Sequence, residues 1–138
     1  MIRLSHVYKT YPGPIHALRD VELEIEKGEL AFITGPSGSG KSTLFRLICA
    51  FDKPTSGSIE VLNTNLNEIS QRDIPFLRRK IGVVFQDFKL LKGRSLFDNI
   101  ALPLEIQQER PALIQKRVSE VLDMVGLKFR PTSFPEQL

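Results

Sequence analysis

The chain has 138 residues, 41% hydrophobic and 25% charged, with a formal net charge of +3. With apolar residues plentiful and net charge low, disorder is not the default, and the balance fits a globular chain of ordinary domain size, long enough to bury a core. The mild excess of base, with an isoelectric point of 9.2, fits a nucleic acid, an anionic membrane surface or a phosphate ligand and selects none of them.

Ile2, Leu4, His6 and Tyr8 alternate with Arg3, Ser5 and Val7, which predicts a strand. Residues 1–10 contain no continuous apolar run, so a signal peptide is not expected there. Pro12, Gly13 and Pro14 predict a turn. Val21, Leu23 and Ile25 alternate with Glu22, Glu24 and Glu26, a half-buried strand with an acidic face, and Lys27-Gly28 turns the chain again. Residues 30–34 form a short apolar run of the kind that makes a buried strand. A glycine-rich loop, 35–40, leads into a predicted helix over 42–50, with Leu44, Leu47 and Ile48 able to share a face. Cys49, the one cysteine, excludes an intramolecular disulfide. Inside this apolar stretch it reads as a buried structural thiol, compatible with a reducing compartment.

Residues 54–57 break the chain, 58–62 alternate as a strand, and 63–73 read as polar loop. A short helix is predicted over 74–80, and its basic run Arg78, Arg79 and Lys80 reads as a solvated face. Residues 81–85 predict another buried strand. Ser95 can cap a helix running towards Leu102 and stopping at Pro103. Pro111 stands where a further helix would begin. Ile114, Val118, Val121, Leu122 and Val125 then recur at helical spacing, with Gly126 as the stop. Residues 128–138 are loop. Strands dominate up to Phe85 and helices after it, with no internal repeat. No apolar run approaches the roughly 18 residues needed to span a bilayer, so a membrane role would have to go through a partner.

Gly35, Pro36, Ser37, Gly38, Ser39, Gly40, Lys41 and Ser42 fit the pattern G-x-x-x-x-G-K-[ST]. Each fixed position has a chemical reason. A triphosphate is a compact polyanion that needs many converging donors, and backbone N–H groups can supply them only where no side chain intervenes, hence glycine. A helix starting here turns its unpaired N–H groups and positive dipole end to the phosphates. Lys41 adds a point charge near the β- and γ-phosphates, and the Ser42 hydroxyl is a hard oxygen suited to Mg²⁺. Roughly one chain in 200 of this length would carry the pattern by chance; the predicted strand before it and helix after it lower that further. The competing reading is a flexible glycine loop.

Over its whole length the chain resembles the N-terminal part of an ABC-type nucleotide-binding domain. The matching stretches are residues 7–12, residues 21–29 ending in Lys27-Gly28-Glu29, the phosphate loop, and Ile81-Gly82-Val83-Val84-Phe85-Gln86. Within that family the runs Ile74-Pro75-Phe76-Leu77-Arg78-Arg79-Lys80, Phe85-Gln86-Asp87, Leu90-Leu91, Asp98-Asn99-Ile100-Ala101-Leu102-Pro103-Leu104 and Phe134-Pro135-Glu136-Gln137-Leu138 are most similar to FtsE-like cell-division ATPases. Lipoprotein-release and peptide-export ATPases are similar too. The resemblance implies an α/β P-loop NTPase fold of ABC type. Residues 1–88 would form an antiparallel β subdomain with part of a parallel core sheet, and residues 89–138 the beginning of a helical subdomain.

The resemblance further implies that ATP and Mg²⁺ are the ligands, that Tyr11 stacks on adenine, that Thr43 contacts the α-phosphate, and that Gln86 reaches Mg²⁺ and the attacking water. Read alone, Tyr11 is a tyrosine before a turn, Thr43 is a helix-start residue able to bond locally, and Gln86 is a polar residue at the end of a predicted strand. Two such domains would dimerise around ATP, with an FtsX-like integral-membrane partner, at the inner face of the plasma membrane and without nucleic acid.

The family's Ser-Gly-Gly signature, its paired acids and its switch histidine have no counterpart in the sequence; His6 and His16 lie at the wrong end. The expectation is a domain cut short before the signature, able to bind ATP without turning it over and poorly stable alone. The rivals are a nucleotide- or partner-binding module without turnover, and a P-loop GTPase or kinase. The latter would need a guanine-reading Asn-Lys-x-Asp or an acceptor site, and the sequence offers neither.

Overall fold

In the computed structural model, β1 (Ile2–Tyr11), β2 (Ile15–Ile25), β3 (Ser56–Val61) and β4 (Thr64–Asn65) form one sheet in the order β2-β1-β3-β4. Every pairing in it is antiparallel. The described residues are 1–13 and 15–137; Pro14, the end of the predicted turn, and Leu138, the end of the predicted terminal loop, lie outside them. They divide into two units, Met1–Ile81 and Gly82–Leu138.

The alternation that predicts β1 holds only as far as Ser5. Between Leu4 and Val7 the pairing with β2 steps from Leu23 to Val21, and between Ser5 and Tyr8 the pairing with β3 steps from Ser58 to Ser56. Each step gives β1 one residue more than its partner, a β-bulge. The extra residue sits at His6, whose φ is 48°. The inward face therefore continues with Val7, which is fully buried, while Tyr8 is 39% exposed. The predicted shared face of Leu4, His6 and Tyr8 is thus corrected. Gly57 faces this bulge and needs to be glycine, because a Cβ there would run into the His6 carbonyl. Opposite it, Asp20 (φ 49°) belongs to the stretch where the extra residue falls in β2, between the pairs Val7–Val21 and Lys9–Leu18.

The two bulge residues hold each other. His6 Nδ1 lies 2.8 Å from Asp20 Oδ1, and His6 Nε2 lies 3.2 Å from Glu22 Oε1. The hydrogen bond to Asp20, then the Glu22 charge, raise the His6 pKa above its ordinary value.

The core of the first unit gathers Leu4, Val7, Leu18, Ile59 and Val61 from the sheet with Leu44 and Leu47 from α1 (Lys41–Ile48) and Ile74 and Leu77 from α2 (Ile74–Arg78). Leu66, in the stretch predicted as polar loop, is buried in the same cluster, and that stretch also contains β4. Cys49 is buried, and burial pushes its thiol pKa up. Arg78 is not merely solvated. Its Nη2 donates to the Ala50 carbonyl at 2.6 Å and its Nε to the Cys49 carbonyl at 3.4 Å, with the guanidinium 4.7 Å from the Phe51 ring centroid. A cation therefore closes the carbonyl end of α1, where the helix dipole favours one.

Two predicted strands are not strands. Residues 30–34 and 81–85 pair with no strand among the described residues. Leu30, Phe32 and Val84 are 78%, 82% and 90% exposed. An apolar run becomes a strand only where another backbone offers its N–H and C=O groups. The expected parallel sheet is accordingly not formed within the described residues.

The second unit is built on α3 (Leu96–Ile106) and α4 (Pro111–Met124), which bury Ala101, Val118 and Leu122 between them. Ser95 caps α3 as predicted. Its Oγ accepts from the Asp98 N–H at 3.1 Å, while the Asp98 carboxylate accepts from the Ser95 N–H at 3.2 Å. The helix runs through Pro103 instead of stopping there. The proline deletes one N–H, and packing of Phe97, Ile100 and Leu104 on either side of it carries the helix on. Pro111 opens α4 as predicted, and Gly126 (φ 72°) follows its end.

Two outcomes follow from the first unit. Arg78→Ala should lower its stability by about 1 kcal/mol, a net hydrogen bond with a helix-end charge, seen as a lower urea midpoint with an unchanged slope; an unchanged midpoint would show Arg78 to be idle. The His6 pKa is raised on folding, so its contribution is complete below about pH 6.5, the unfolded value, and is lost as pH rises through the folded value. In an NMR titration, Asp20→Asn should bring the His6 midpoint back down towards that of a free histidine.

Candidate functional site

α1 starts immediately after Gly40, its N-cap, which has φ 90° and ψ 2°. This left-handed conformation suits glycine, and space demands it as well. A Cβ on residue 40 would stand 2.5 Å from the Ala17 carbonyl oxygen and 2.8 Å from Leu18 Cδ2. The phosphate loop is thereby pressed against the start of β2. No side chain caps α1, and its first turn contains no acidic residue. Its leading N–H groups therefore lack partners within the helix, and its positive end is left uncompensated.

Lys41 sits in that first turn. Its Nζ donates to the Gly35 carbonyl at 2.8 Å, the Pro36 carbonyl at 2.7 Å and Ser39 Oγ at 3.3 Å. The ammonium is thus folded back over the loop. Residues 37–43 and residues 15–17 face each other across an open groove of about 560 Å³, within the range of small-molecule sites. Ser42 is exposed on the first turn and Thr43 is half-buried.

Tyr11 ends β1 and pairs with Ile15, the first residue of β2 and part of the groove wall. The first unit therefore gathers Tyr11 with every predicted residue of the phosphate loop, Gly35 to Thr43. Gln86 belongs to the second unit, where it is exposed in a turn after a segment that joins no strand ladder, not at the end of a paired strand. Among the described residues no group of three or more His, Cys, Asp or Glu could hold a metal ion. The side-chain oxygen donors along this groove are hydroxyls, those of Ser37, Ser39, Ser42 and Thr43, with no carboxylate among them. That suits a Mg²⁺ that arrives with phosphate oxygens and water as its other ligands, and does not suit a metal held by protein alone.

Sequence reasoning missed the wall formed by residues 15–17, and it missed the surroundings of Tyr11. The Tyr11 hydroxyl donates to Asp52 Oδ2 at 2.9 Å, and Lys9 Nζ donates to Asp52 Oδ1 at 2.7 Å. Burial pushes the Asp52 carboxyl up, but the bonds from Lys9, Tyr11 and the Lys53 N–H outweigh it and leave the carboxyl below its ordinary range. No local signal marks this cluster, because Asp52 is 43 residues from Lys9 and 41 from Tyr11.

Over its whole length the chain is similar to known ATP-binding proteins. The cell division ATP-binding protein FtsE of Bacillus subtilis is 49% identical over 138 residues, which cover all of this chain and 60% of that protein. The methionine import ATP-binding protein MetN of Helicobacter hepaticus is 45% identical over the whole chain and 39% of its own length. A solved ATP-binding cassette, dimeric and in a post-hydrolysis state bound to ADP and Pi, matches with a TM-score of 0.89 at 38% identity, over all of this chain and 63% of the solved one. The chain thus spans about three fifths of the FtsE relative and of the solved cassette. The family model described as ABC transporter matches residues 18–138, most of the length, and so the chain belongs to the ABC transporter family.

Proposed function

We propose that this chain is the phosphate-holding part of the ATP-binding subunit of an ABC-type complex of the FtsE cell-division kind. The observation that carries the reading is the start of α1. A helix of eight residues opens with no cap and no acid, behind a glycine loop whose lysine already reaches over it. Such an end offers backbone donors and a positive field to an anion. ATP would place its triphosphate on the N–H groups of the loop and of Lys41 to Thr43, with the Lys41 ammonium exchanging loop carbonyls for phosphate oxygens. Tyr11 would stack on the base, and Thr43 would meet the α-phosphate. The Ser42 hydroxyl would hold Mg²⁺, which neutralises phosphate charge when bound; Gln86 would be its second ligand and would orient water.

Hydrolysis belongs, on this reading, to a longer protein that supplies the signature and the paired carboxylates. The share of the relatives that the chain spans supports this. Residues 1–138 would then be one partial nucleotide-binding domain, with residues 1–88 as its β-rich core and 89–138 as the start of its helical part. The complete protein would form a homodimer around ATP and drive an FtsX-like membrane partner from the cytoplasmic face. No helix of the described residues is long and apolar enough to cross a membrane. The likeness to MetN favours a second reading, an ATP-binding subunit of a transporter, whether for import, lipoprotein release or peptide export.

Lys41→Ala should weaken ATP about tenfold or more, the loss of a charge-assisted bond to a phosphate, with unchanged circular dichroism. Titration with a fluorescent ATP analogue decides this, and an affinity equal to the parent's would remove the phosphate-loop assignment. Phosphate release should be undetectable for the 138-residue chain. It should appear when the chain is joined to the C-terminal part of an FtsE relative, and Gln86→Ala in that fusion should then lower turnover more than affinity. An equal loss in both would count against Gln86 as the residue that orients water, and turnover by the short chain would count against the need for a C-terminal part.

A further inference from the structure

Lys9 and Asp52 form a three-membered cluster with Tyr11, and no part of the ATP-binding reading requires either of those two. Lys9 is the more buried of the ion pair, with its side chain 12% exposed against 22% for Asp52. Its ammonium bonds to Asp52 Oδ1 at 2.7 Å and to the Lys53 carbonyl at 2.7 Å, and lies 4.8 Å from the centroid of the Tyr11 ring, over its face. Asp52 in turn accepts from the Tyr11 hydroxyl at 2.9 Å and from the Lys53 N–H at 2.9 Å. One face of the aromatic ring is therefore occupied by a cation, and its far tip is tied to a carboxylate. The ring has two soft torsions, and these contacts restrain both. Tyr11 still keeps part of its surface exposed, and its cross-strand neighbour Ile15 lines the groove beside the phosphate loop.

A planar ligand can stack only on a free face. With Lys9 fixed on one side, only the opposite side can take a base. We propose that Asp52 and Lys9 are positioning residues for nucleotide base recognition: together they fix the Tyr11 ring so that a single face is presented to the purine of a nucleoside triphosphate held on α1. This rests on the reading of the groove as a nucleotide site. A bland alternative exists, in which Asp52 merely ties the segment after α1 to β1. The two differ in what they do to ligands. A tie between elements affects everything the loop binds, whereas a ring-positioning pair affects only ligands that carry a base.

The experiment compares ATP with inorganic tripolyphosphate, measured by calorimetry on the 138-residue chain and its variants. Base–aromatic stacking contributes about five- to a hundredfold in affinity, so loss of orientation should cost part of it. Asp52→Ala and Tyr11→Phe should each weaken ATP about three- to tenfold and leave tripolyphosphate unchanged. Asp52→Asn keeps an acceptor for the Tyr11 hydroxyl and should fall between Asp52→Ala and the parent. Tyr11→Ala should lose ATP selectively and at least as strongly. Lys41→Ala should weaken both ligands. ATP affinity unchanged in Asp52→Ala, or an equal loss of both ligands, overturns the positioning role while leaving the site intact. Both ligands unaffected by Lys41→Ala would overturn the nucleotide site and this inference with it.

Discussion

The Ala17 carbonyl stands 2.5 Å from where a Cβ of residue 40 would be, and the rest of the first unit is arranged around that approach. Residue 40 is the hinge between loop and helix, and it touches β2. With no side chain and a φ of 90°, the chain can brush the strand and enter α1 in the next residue. α1 is then laid on the sheet, where Leu44 and Leu47 join the buried cluster. Any larger residue 40 would move the helix off the strand or the strand off the helix. The first change opens the core, and the second moves residues 15–17, the far wall of the groove. Folding and binding therefore share one contact, and strain there of about 1–3 kcal/mol would be felt by both.

The starts of α1 and α3 show the same donors put to opposite uses. α3 is closed by its own residues: the Ser95–Asp98 box takes two N–H groups, and the Ser133 and Pro131 carbonyls accept from Leu96 and Phe97 at 2.7 Å and 2.9 Å. Its positive end is compensated by the Asp98 carboxylate. α1 has neither cap nor acid. Its stability must come from the buried face and from the Arg78 guanidinium at its other end, which frees the N-terminal donors from a structural role. An uncapped helix start gives up about 1 kcal/mol of local stability, and the core contacts of Leu44 and Leu47 are large enough to cover it.

What the sequence reveals and conceals divides along a physical line. The phosphate loop, the Ser95 cap, Pro111 at the start of α4 and the buried Cys49 all depend on residues within a few positions of one another, and all can be read locally. The bulge at His6 cannot, because a period of two assumes one residue per step on both strands, and only the partner's register reveals the extra one. Arg78 looks like part of a solvated basic run until folding places the Cys49 and Ala50 carbonyls, 29 and 28 residues away, against it. The Lys9–Asp52–Tyr11 cluster is hidden for the same reason. Residues 30–34 and 81–85 show the converse limit. Pattern identifies an apolar extended run, but strand formation also needs a neighbour, and no stretch of the run itself encodes whether one is there.

The unpaired run 30–34 bears directly on the phosphate loop that follows it. At its far end the loop is fixed by Gly40 and the seated helix. At its near end no ladder holds it, and the side-chain bonds that tie Gly35 and Pro36 down come from Lys41, beside one backbone bond from the Ser39 N–H to the Pro36 carbonyl at 3.3 Å. An ammonium has three donors, and Gly35, Pro36 and Ser39 engage all three. A phosphate oxygen that takes one of them must release a loop acceptor to do so. On the proposed reading the lysine that would attract the anion is also the clasp of the loop, and ligand binding would exchange an internal tie for an external one. The net affinity would then be set by how well the backbone N–H groups hold a phosphate once the loop's own clasp has opened, so that on this reading the uncapped start of α1 and the lysine beside it act as one device.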